Sequence, residues 1–410
     1  MAAEMAHPAP AAVAANEAAA GGERPLRVYI VTGEHSGDAL GARLMTALRA
    51  ASPRPVLFAG LGGHAMEAEG LRSLFPLDEV VVMGPVAILK AYPRLRRRAL
   101  EVVAACVAAD PDILVIVDAP EFTHPIAKRV RKARPDIPIV DYVSPTVWAW
   151  RPGRARKMRP YVDHLMALLP FEPAAHERLG GPPCTYVGHP LVERKAWIDS
   201  LDTAPLVERF ALEPEVPVLV VLPGSRTSEI ERLHGPFGET VARLTQGERK
   251  LNVLIPAVPR HAERIALATA GWAAPTWLIN GEEDKFRAFK LARAALAASG
   301  TVTLELAVAG TPMVVAYKVE PLAVPLRFLV KVPSIVLANL VLGQSVFPEF
   351  IQQDCTAEKL AAAVEPLLVD SPARLVQLQG LAAIEERLSL PAGTPSGAAA
   401  HVVLAQLGAE

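Results

Sequence analysis

Apolar residues in this chain fall in short unbroken runs rather than in alternation with polar ones. Examples are Val28-Tyr29-Ile30-Val31, Ile113-Leu114-Val115-Ile116-Val117 and Val218-Leu219-Val220-Val221-Leu222. Runs of this length fit strands buried on both faces of a parallel sheet. The pattern predicts strands at Val28–Thr32, Val56–Ala59, Ile113–Asp118 and Ile139–Val143, with helices at Leu40–Ala50, Pro93–Ala108 and Phe122–Ala133. A short helix, Ala204–Phe210, interrupts a polar linker at Arg194–Pro217. A second series then gives strands at Val218–Leu222, Leu251–Pro256, Thr276–Ile279, Ala294–Ala298 and Met313–Tyr317. Its helices are Gly235–Thr245, Ala262–Ala270, Asp284–Ala292 and Val302–Ala309. Strand–helix alternation of this kind predicts an α/β fold of two Rossmann-like doubly wound domains facing across a cleft. The expected organisation is a disordered tail at 1–24, a first domain at 25–195, a second at 196–365 and a helical segment at 366–410.

Composition narrows this picture without changing it. The 410 residues are 51% hydrophobic, enough for two full cores. Lysine plus arginine (42) nearly cancels aspartate plus glutamate (43), so no global basic field invites nucleic acid. Cys106, Cys184 and Cys355 form no C-x-x-C pair and read as reduced structural thiols of a cytosol-like compartment. The alanine- and proline-rich start carries Glu4, Glu17 and Glu23, and it lacks the basic and apolar regions of a signal peptide. No run reaches the ~20 apolar residues of a spanning helix. Val332–Pro348 is broken by Pro333, Asn339, Gly343 and Gln344, and it reads as loop plus short helix. Asp110-Pro111-Asp112 imitates a D-x-D metal motif but precedes its strand and reads as a turn. No metal-ligand set and no cofactor are predicted.

The candidate chemistry lies in loops after strands. Neither Gly33-Glu34-His35-Ser36-Gly37-Asp38 nor Pro223-Gly224-Ser225-Arg226 is a G-x-G-x-x-G loop, which disfavours a dehydrogenase. Asp38 is suited to capping the helix that follows it, while Glu34 has no capping duty and is a functional candidate. Asp118, at a strand end facing the crevice, reads either as a general base or as the N-cap of the helix from Phe122. Arg226 either neutralises a departing phosphate or pairs with Glu229 or Glu231. Ser299-Gly300-Thr301 opens a helix whose unpaired N–H groups suit a diphosphate, and Glu305 lies one turn inside, where it can accept from ribose hydroxyls. His189 sits where the domains are expected to meet, and by itself it reads first as a satisfied structural histidine. Val80–Leu89, followed by Lys90, Arg94, Arg96, Arg97 and Arg98, suits an anionic bilayer surface or a pocket for greasy chains; the other reading is a core segment and a solvated helix face.

Taken together, several motifs carry a resemblance. They are Gly33–Asp38, Gly62-Gly63-His64-Ala65-Met66, Asp118-Ala119-Pro120-Glu121-Phe122, Tyr142-Val143-Ser144-Pro145-Thr146-Val147-Trp148-Ala149-Trp150-Arg151 and Leu169-Pro170-Phe171-Glu172. Gly188-His189-Pro190, Pro223–Arg226, Ser299–Glu305 and Asn339-Leu340 complete the set. From about Arg27 onward the chain resembles the lipid-A-disaccharide synthase family, glycosyltransferases of the GT-B type. The Ser-Pro-x-Val-Trp-Ala-Trp run is the most selective piece. The resemblance implies transfer of 2,3-diacylglucosamine from UDP to 2,3-diacylglucosamine 1-phosphate, with inversion and without a metal or cofactor. It implies Asp118 or Glu34 as base and Arg226 as charge partner. Gly224, Ser225, Arg226, Ser299, Gly300, Thr301, Glu305 and Asn339 fall on the donor side, and Ser36 and His189 on the acceptor side. It also implies peripheral association with the cytoplasmic face of the inner membrane of a Gram-negative bacterium, no nucleic-acid partner, and an oligomeric state in which a homodimer is open. Ala338 stands where many relatives have proline. Competing readings are the peptidoglycan N-acetylglucosaminyltransferase, a UDP-sugar 2-epimerase, or a non-catalytic membrane-associated sugar-nucleotide binder. The two enzymes leave the Trp148/Trp150 signature unexplained, and the binder keeps the UDP loops without needing Glu34 and Asp118.

Overall fold

The structure is a computed structural model describing residues 24–82, 85–247, 249–319 and 332–408, with backbone alone at 85–88. The tail expected at 1–24 lies outside the described residues apart from Arg24. Two six-stranded sheets organise the chain. The first contains β1 (Leu26–Thr32), β2 (Val56–Leu61), β3 (Ile113–Val117), β4 (Ile139–Tyr142), β5 (His164–Ala167) and β6 (Cys184–Tyr186), in the order β2-β1-β3-β4-β5-β6. The second contains β7 (Val218–Leu222), β8 (Asn252–Pro256), β9 (Thr276–Ile279), β10 (Ala294–Ala298), β11 (Met313–Tyr317) and β12 (Glu349–Ile351), in the order β12-β11-β10-β7-β8-β9. All ten pairings are parallel. These are two Rossmann-like domains.

The unbroken apolar runs follow from burial on both faces. Leu114 and Ile116 of β3 join one core cluster, while Ile113, Val115 and Val117 join the cluster on the opposite face. In β7, Leu219 and Val221 divide from Val218, Val220 and Leu222 in the same way. Each such side chain contributes roughly 1.5–3 kcal/mol on burial, so polar substitution in either strand costs on that scale or more.

Strand order reverses once in each sheet, between β1 and β3 and between β7 and β10. Connections leave these paired strands toward opposite faces, and a crevice opens at their C-terminal ends. The site-bearing loops after β1, β3, β7 and β10 therefore occupy the two reversal points.

Two elements differ from the sequence reading. The helix expected at Pro93–Ala108 runs from Pro85 to Ala109 and continues through Pro93, despite the hydrogen bond a proline removes. The segment expected as one C-terminal unit divides between domains. Leu381, Ile384 and Leu388 of the helix Pro372–Leu388 enter the second core. Ala399, Ala400, Val403 and Leu404 of the helix Pro395–Ala405 pack instead with Leu26, Val28 and Leu44 of the first. Glu193 Oε1 anchors this return by accepting from Ser396 N (2.7 Å) and Ser396 Oγ (2.6 Å). Gly188, at φ 84°, permits the crossing, since a Cβ there would lie 2.9 Å from Pro395 Cγ.

Candidate active site

At the first reversal point the loops after β1 and β3 touch: a Cβ on Gly33 would lie 2.9 Å from Ala119 Cβ. Asp118 and Ala119 both take left-handed backbone angles, φ 53° and 46°. Aspartate tolerates this conformation and alanine rarely adopts it, so the turn is held by its surroundings. Asp118 N donates to Tyr142 O (2.9 Å), and Thr123 Oγ1 donates to Asp118 O (2.7 Å). The turned backbone sends the carboxylate toward the neighbouring loop, where Oδ2 accepts from the Ser36 hydroxyl at 3.1 Å. Oδ1 accepts from Ala119 N at 2.8 Å. Ala119, not Asp118, is the N-cap of the helix Pro120–Ala133, so the capping alternative for Asp118 fails.

Glu34 occupies the N-cap position of the helix His35–Ala51 without a side-chain capping bond, which leaves its carboxyl to the cleft. Asp38 behaves otherwise than expected. It lies buried inside that helix and accepts from Gly63 N (2.7 Å), Ala65 N (2.9 Å) and Met66 N (3.1 Å). It thus caps the neighbouring helix His64–Ala68 rather than its own.

In the loop after β7, Gly224 has φ 117°, and a Cβ there would lie 2.5 Å from Glu229 Cβ. Glycine lets Glu229 close back on the loop. Glu229 Oε2 accepts from Ser225 N (3.0 Å) and Arg226 N (3.3 Å), and Oε1 accepts from Arg226 Nη1 (2.7 Å). Of the ion pairs expected for Arg226, the one to Glu229 forms, while Glu231 pairs with Arg264. The Arg226 side chain remains 66% exposed. Its field reaches the first domain. Desolvation first and the neighbouring Asp118 second push the Glu34 carboxyl above its ordinary pKa, and Arg226 pulls it back down. Three loops from two domains therefore bring two carboxylates and one guanidinium into a single electrostatic neighbourhood.

After β10, Ser299 N donates to Ala316 O (3.2 Å) and Ser299 Oγ to Ile335 O (2.7 Å). Thr303 Oγ1 donates to Gly300 O at 2.9 Å. The amides of Gly300, Thr301 and Val302 meet no acceptor among the described residues. Glu305 holds Lys285 Nζ with both oxygens, at 3.1 and 3.0 Å. Lys285 has no local sequence signal, because its partner lies on another helix.

The profile of the lipid-A-disaccharide synthetase family matches residues 28–390. The chain belongs to this family. The lipid-A-disaccharide synthase of Rhodopseudomonas palustris (strain ATCC BAA-98 / CGA009) is 50% identical over 388 residues, covering 94% of this chain and 98% of that one. That of Rhodospirillum centenum is 44% identical, covering 93% and 94%. Among solved structures, a Neisseria meningitidis UDP-GlcNAc 2-epimerase bound to UDP-GlcNAc superposes with TM-score 0.59 at 11% identity, over 94% of this chain and all of that one. Acinetobacter baumannii MurG gives 0.52 at 13% identity, with the same coverage. These two share the fold.

Two residues assigned from the family motifs have internal duties. Asn339 is buried, and its amide is fully used: Nδ2 donates to Phe347 O (2.8 Å) and Ser334 Oγ (3.3 Å), while Oδ1 accepts from Phe347 N (2.9 Å) and Val346 N (3.0 Å). It has no polar capacity left for a donor. His189 caps the helix Pro190–Glu193, its Nδ1 accepting from Leu191 N at 3.2 Å, and burial pushes its pKa down to about 4. A neutral capping imidazole fits the structural reading of this residue. Asp110 and Asp112 likewise serve the turn, through Arg134 and through Arg27 N and Arg24.

Glu172 closes the Leu169–Glu172 motif, where the sequence alone assigns it no role. It is 3% exposed at the start of the helix Glu172–Leu179. Oε1 accepts from Trp148 Nε1 (3.0 Å), and Oε2 accepts from Leu168 N (3.1 Å) and Leu169 N (3.0 Å). Trp148 also stacks edge-on against Phe171, with ring centroids 5.1 Å apart. This clasp fixes the signature loop after β4 to the end of β5. Burial outweighs the three donors and pushes the carboxyl up to about 7. The folded state then holds a proton that the unfolded chain has released above its ordinary value of 4.5. Stability from this group is full below that value and is lost as pH rises toward 7, by about 3 kcal/mol. Glu172→Gln mimics the neutral form, so the urea stability of wild type relative to this variant should gain by roughly that amount from pH 8 to pH 5. His176 and His189, both pushed down to about 4 by burial, titrate in both proteins and cancel. A gap independent of pH would refute the assignment.

Proposed function

We propose that this protein condenses UDP-2,3-diacylglucosamine with 2,3-diacylglucosamine 1-phosphate, giving the β-1,6-linked disaccharide 1-phosphate and UDP, with inversion and without a metal ion. The observation that carries this reading is the contact of the loops after β1 and β3 at Ser36–Asp118, with Arg226 of the second domain near enough to act on the Glu34 carboxyl. In this mechanism Asp118 takes the proton of the acceptor 6-hydroxyl as its oxygen attacks the anomeric carbon, and Ser36 orients the carboxylate. The bond from that carbon to UDP breaks on the opposite face. Arg226 and the amides at Gly300 and Thr301 receive the charge growing on the diphosphate, and Glu305 holds the ribose. The Gly224-Ser225 turn brings the backbone close to the same phosphates. Preorganised cations and amides can supply this stabilisation, which is the term a metal would otherwise provide. Incubation of the purified protein with both substrates should give disaccharide phosphate and UDP, undiminished by EDTA. Absence of product overturns the reading, and loss with EDTA overturns its metal-free form.

The same reading places the protein at the cytoplasmic face of the inner membrane, where diacylated substrates reside. No helix among the described residues is long and apolar enough to cross a membrane. Met83 and Gly84, within the apolar run at 80–89, lie outside the described residues. Beyond them, Leu89 and Tyr92 are 77% and 60% exposed, next to exposed Lys90, Arg94 and Arg96. Arg98 leaves the basic cluster: it lies over the Phe75 ring at 4.5 Å and pairs with Glu79 and Glu101. Each free cation contributes about 1 kcal/mol at an anionic surface. Pelleting with phosphatidylglycerol vesicles should therefore fall in 1 M salt and in a Lys90, Arg94, Arg96 to serine variant. Equal pelleting in every condition would show that this face does not dock.

A further inference from the structure

The signature loop after β4 ends in a group that the proposed chemistry leaves without a role. Trp150 is 41% exposed, although its Nε1 donates to Thr146 Oγ1 at 3.1 Å. Arg151, at φ 53°, lays its guanidinium over the Trp150 ring, 4.2 Å from the centroid. Left-handed backbone at an arginine is strained and persists only where the surroundings impose it. Arg151 and Arg154 both reach the same oxygen of one carboxylate, Glu121 Oε1, Arg151 at 3.8 Å. Glu121 is itself 67% exposed and follows Asp118 in the chain by three residues. Two guanidinium groups thus share a single carboxylate oxygen on the first turn of the helix that follows the proposed base in the chain. Most of their N–H donors remain uncommitted to Glu121.

We propose that Arg151, braced by Trp150, and Arg154 form the subsite for the phosphate monoester of the acceptor, with Glu121 holding the place of the phosphate in its absence. This rests on the transferase reading above. An acceptor whose 6-hydroxyl meets Asp118 carries its 1-phosphate across the ring oxygen of the same sugar, on the acceptor side of the cleft. A phosphate monoester carries a charge of about −1.5 to −2 and three acceptor oxygens, which displace one exposed carboxylate from a guanidinium pair. Arginine's planar fork matches phosphate geometry, and the indole face fixes its plane in advance. The Glu172–Trp148 clasp holds the base of the same loop.

The test compares kcat/KM for the 1-phosphate acceptor with that for the same acceptor lacking phosphate, in non-ionic detergent micelles free of anionic lipid. Wild type should prefer the phosphate by at least ~10²-fold, as expected when two charged hydrogen-bonding partners lose their ligand. The double variant Arg151→Ala, Arg154→Ala should bring the ratio to within about threefold. Glu121→Gln removes the competing carboxylate and should raise the ratio, an effect of opposite sign that misfolding cannot produce. A double variant that transfers with the wild-type preference overturns the subsite alone. So does an equal loss on both acceptors. A preserved preference accompanied by weaker phosphatidylglycerol vesicle binding would assign the arginines to lipid headgroups and overturn it too. No transfer by wild type to either acceptor overturns the transferase reading and the subsite with it.

Discussion

Asp118→Asn is expected to lower kcat by roughly 10²–10⁴ while UDP affinity and thermal stability stay near wild type, the usual worth of a positioned general base. The fold should survive because asparagine accepts the left-handed φ of 53° as readily as aspartate. Its side-chain oxygen can still take the Ser36 hydroxyl bond, now 3.1 Å long. What is lost is the capacity to take a proton, together with the bond that Ala119 N donates to the second carboxylate oxygen. The substitution also removes a negative charge that pushes the Glu34 pKa up, so Glu34 should titrate lower in the variant. Single-turnover kinetics with isothermal UDP titration measure both quantities. A wild-type kcat would transfer the base role to Glu34, whose carboxyl has no capping duty to perform.

Arg226→Ala is expected to cost about 2–4 kcal/mol in kcat/KM, the scale for losing a cation that meets charge developing in the transition state. The bland alternative, a surface ion pair with Glu229, predicts much less. Exposed pairs contribute at most about 1 kcal/mol to stability and nothing to turnover. Glu229 would still accept from Ser225 N and from the backbone of residue 226, so the helix start is kept. A second readout has a fixed sign. Arg226 holds the Glu34 pKa down, so its removal raises that pKa, and where Glu34 rather than Asp118 serves as base the acid limb of the kcat/KM profile moves to higher pH. A small kcat/KM loss with an unmoved limb would leave Arg226 as a helix-start residue only.

The sequence by itself determined the strands that carry the site. Val218–Leu222, Ala294–Ala298 and Met313–Tyr317 form with the boundaries their apolar runs predict. Burial on both sheet faces excludes polar side chains from such a strand, and that exclusion is written directly into the order of residues. The loops that follow them, with Glu34, Asp118, Arg226 and Ser299, were legible for the same reason: polar and glycine residues resume where the buried strand ends. The short strands His164–Ala167, Cys184–Tyr186 and Glu349–Ile351 were not, since three or four residues carry too little periodicity to stand out.

Tertiary structure alone decided what each polar side chain meets. A carboxylate in the first turn of a helix looks like that helix's own cap, yet Asp38 serves amides of the next helix. Asn339 carries a family motif and is used up within its own loop. Glu172 clasps Trp148, Lys285 meets Glu305, and the last helix returns to the first core. Side-chain hydrogen bonds and ion pairs are short-ranged in space and indifferent to separation along the chain. They leave no period in the sequence, and only closure of the fold brings their partners together.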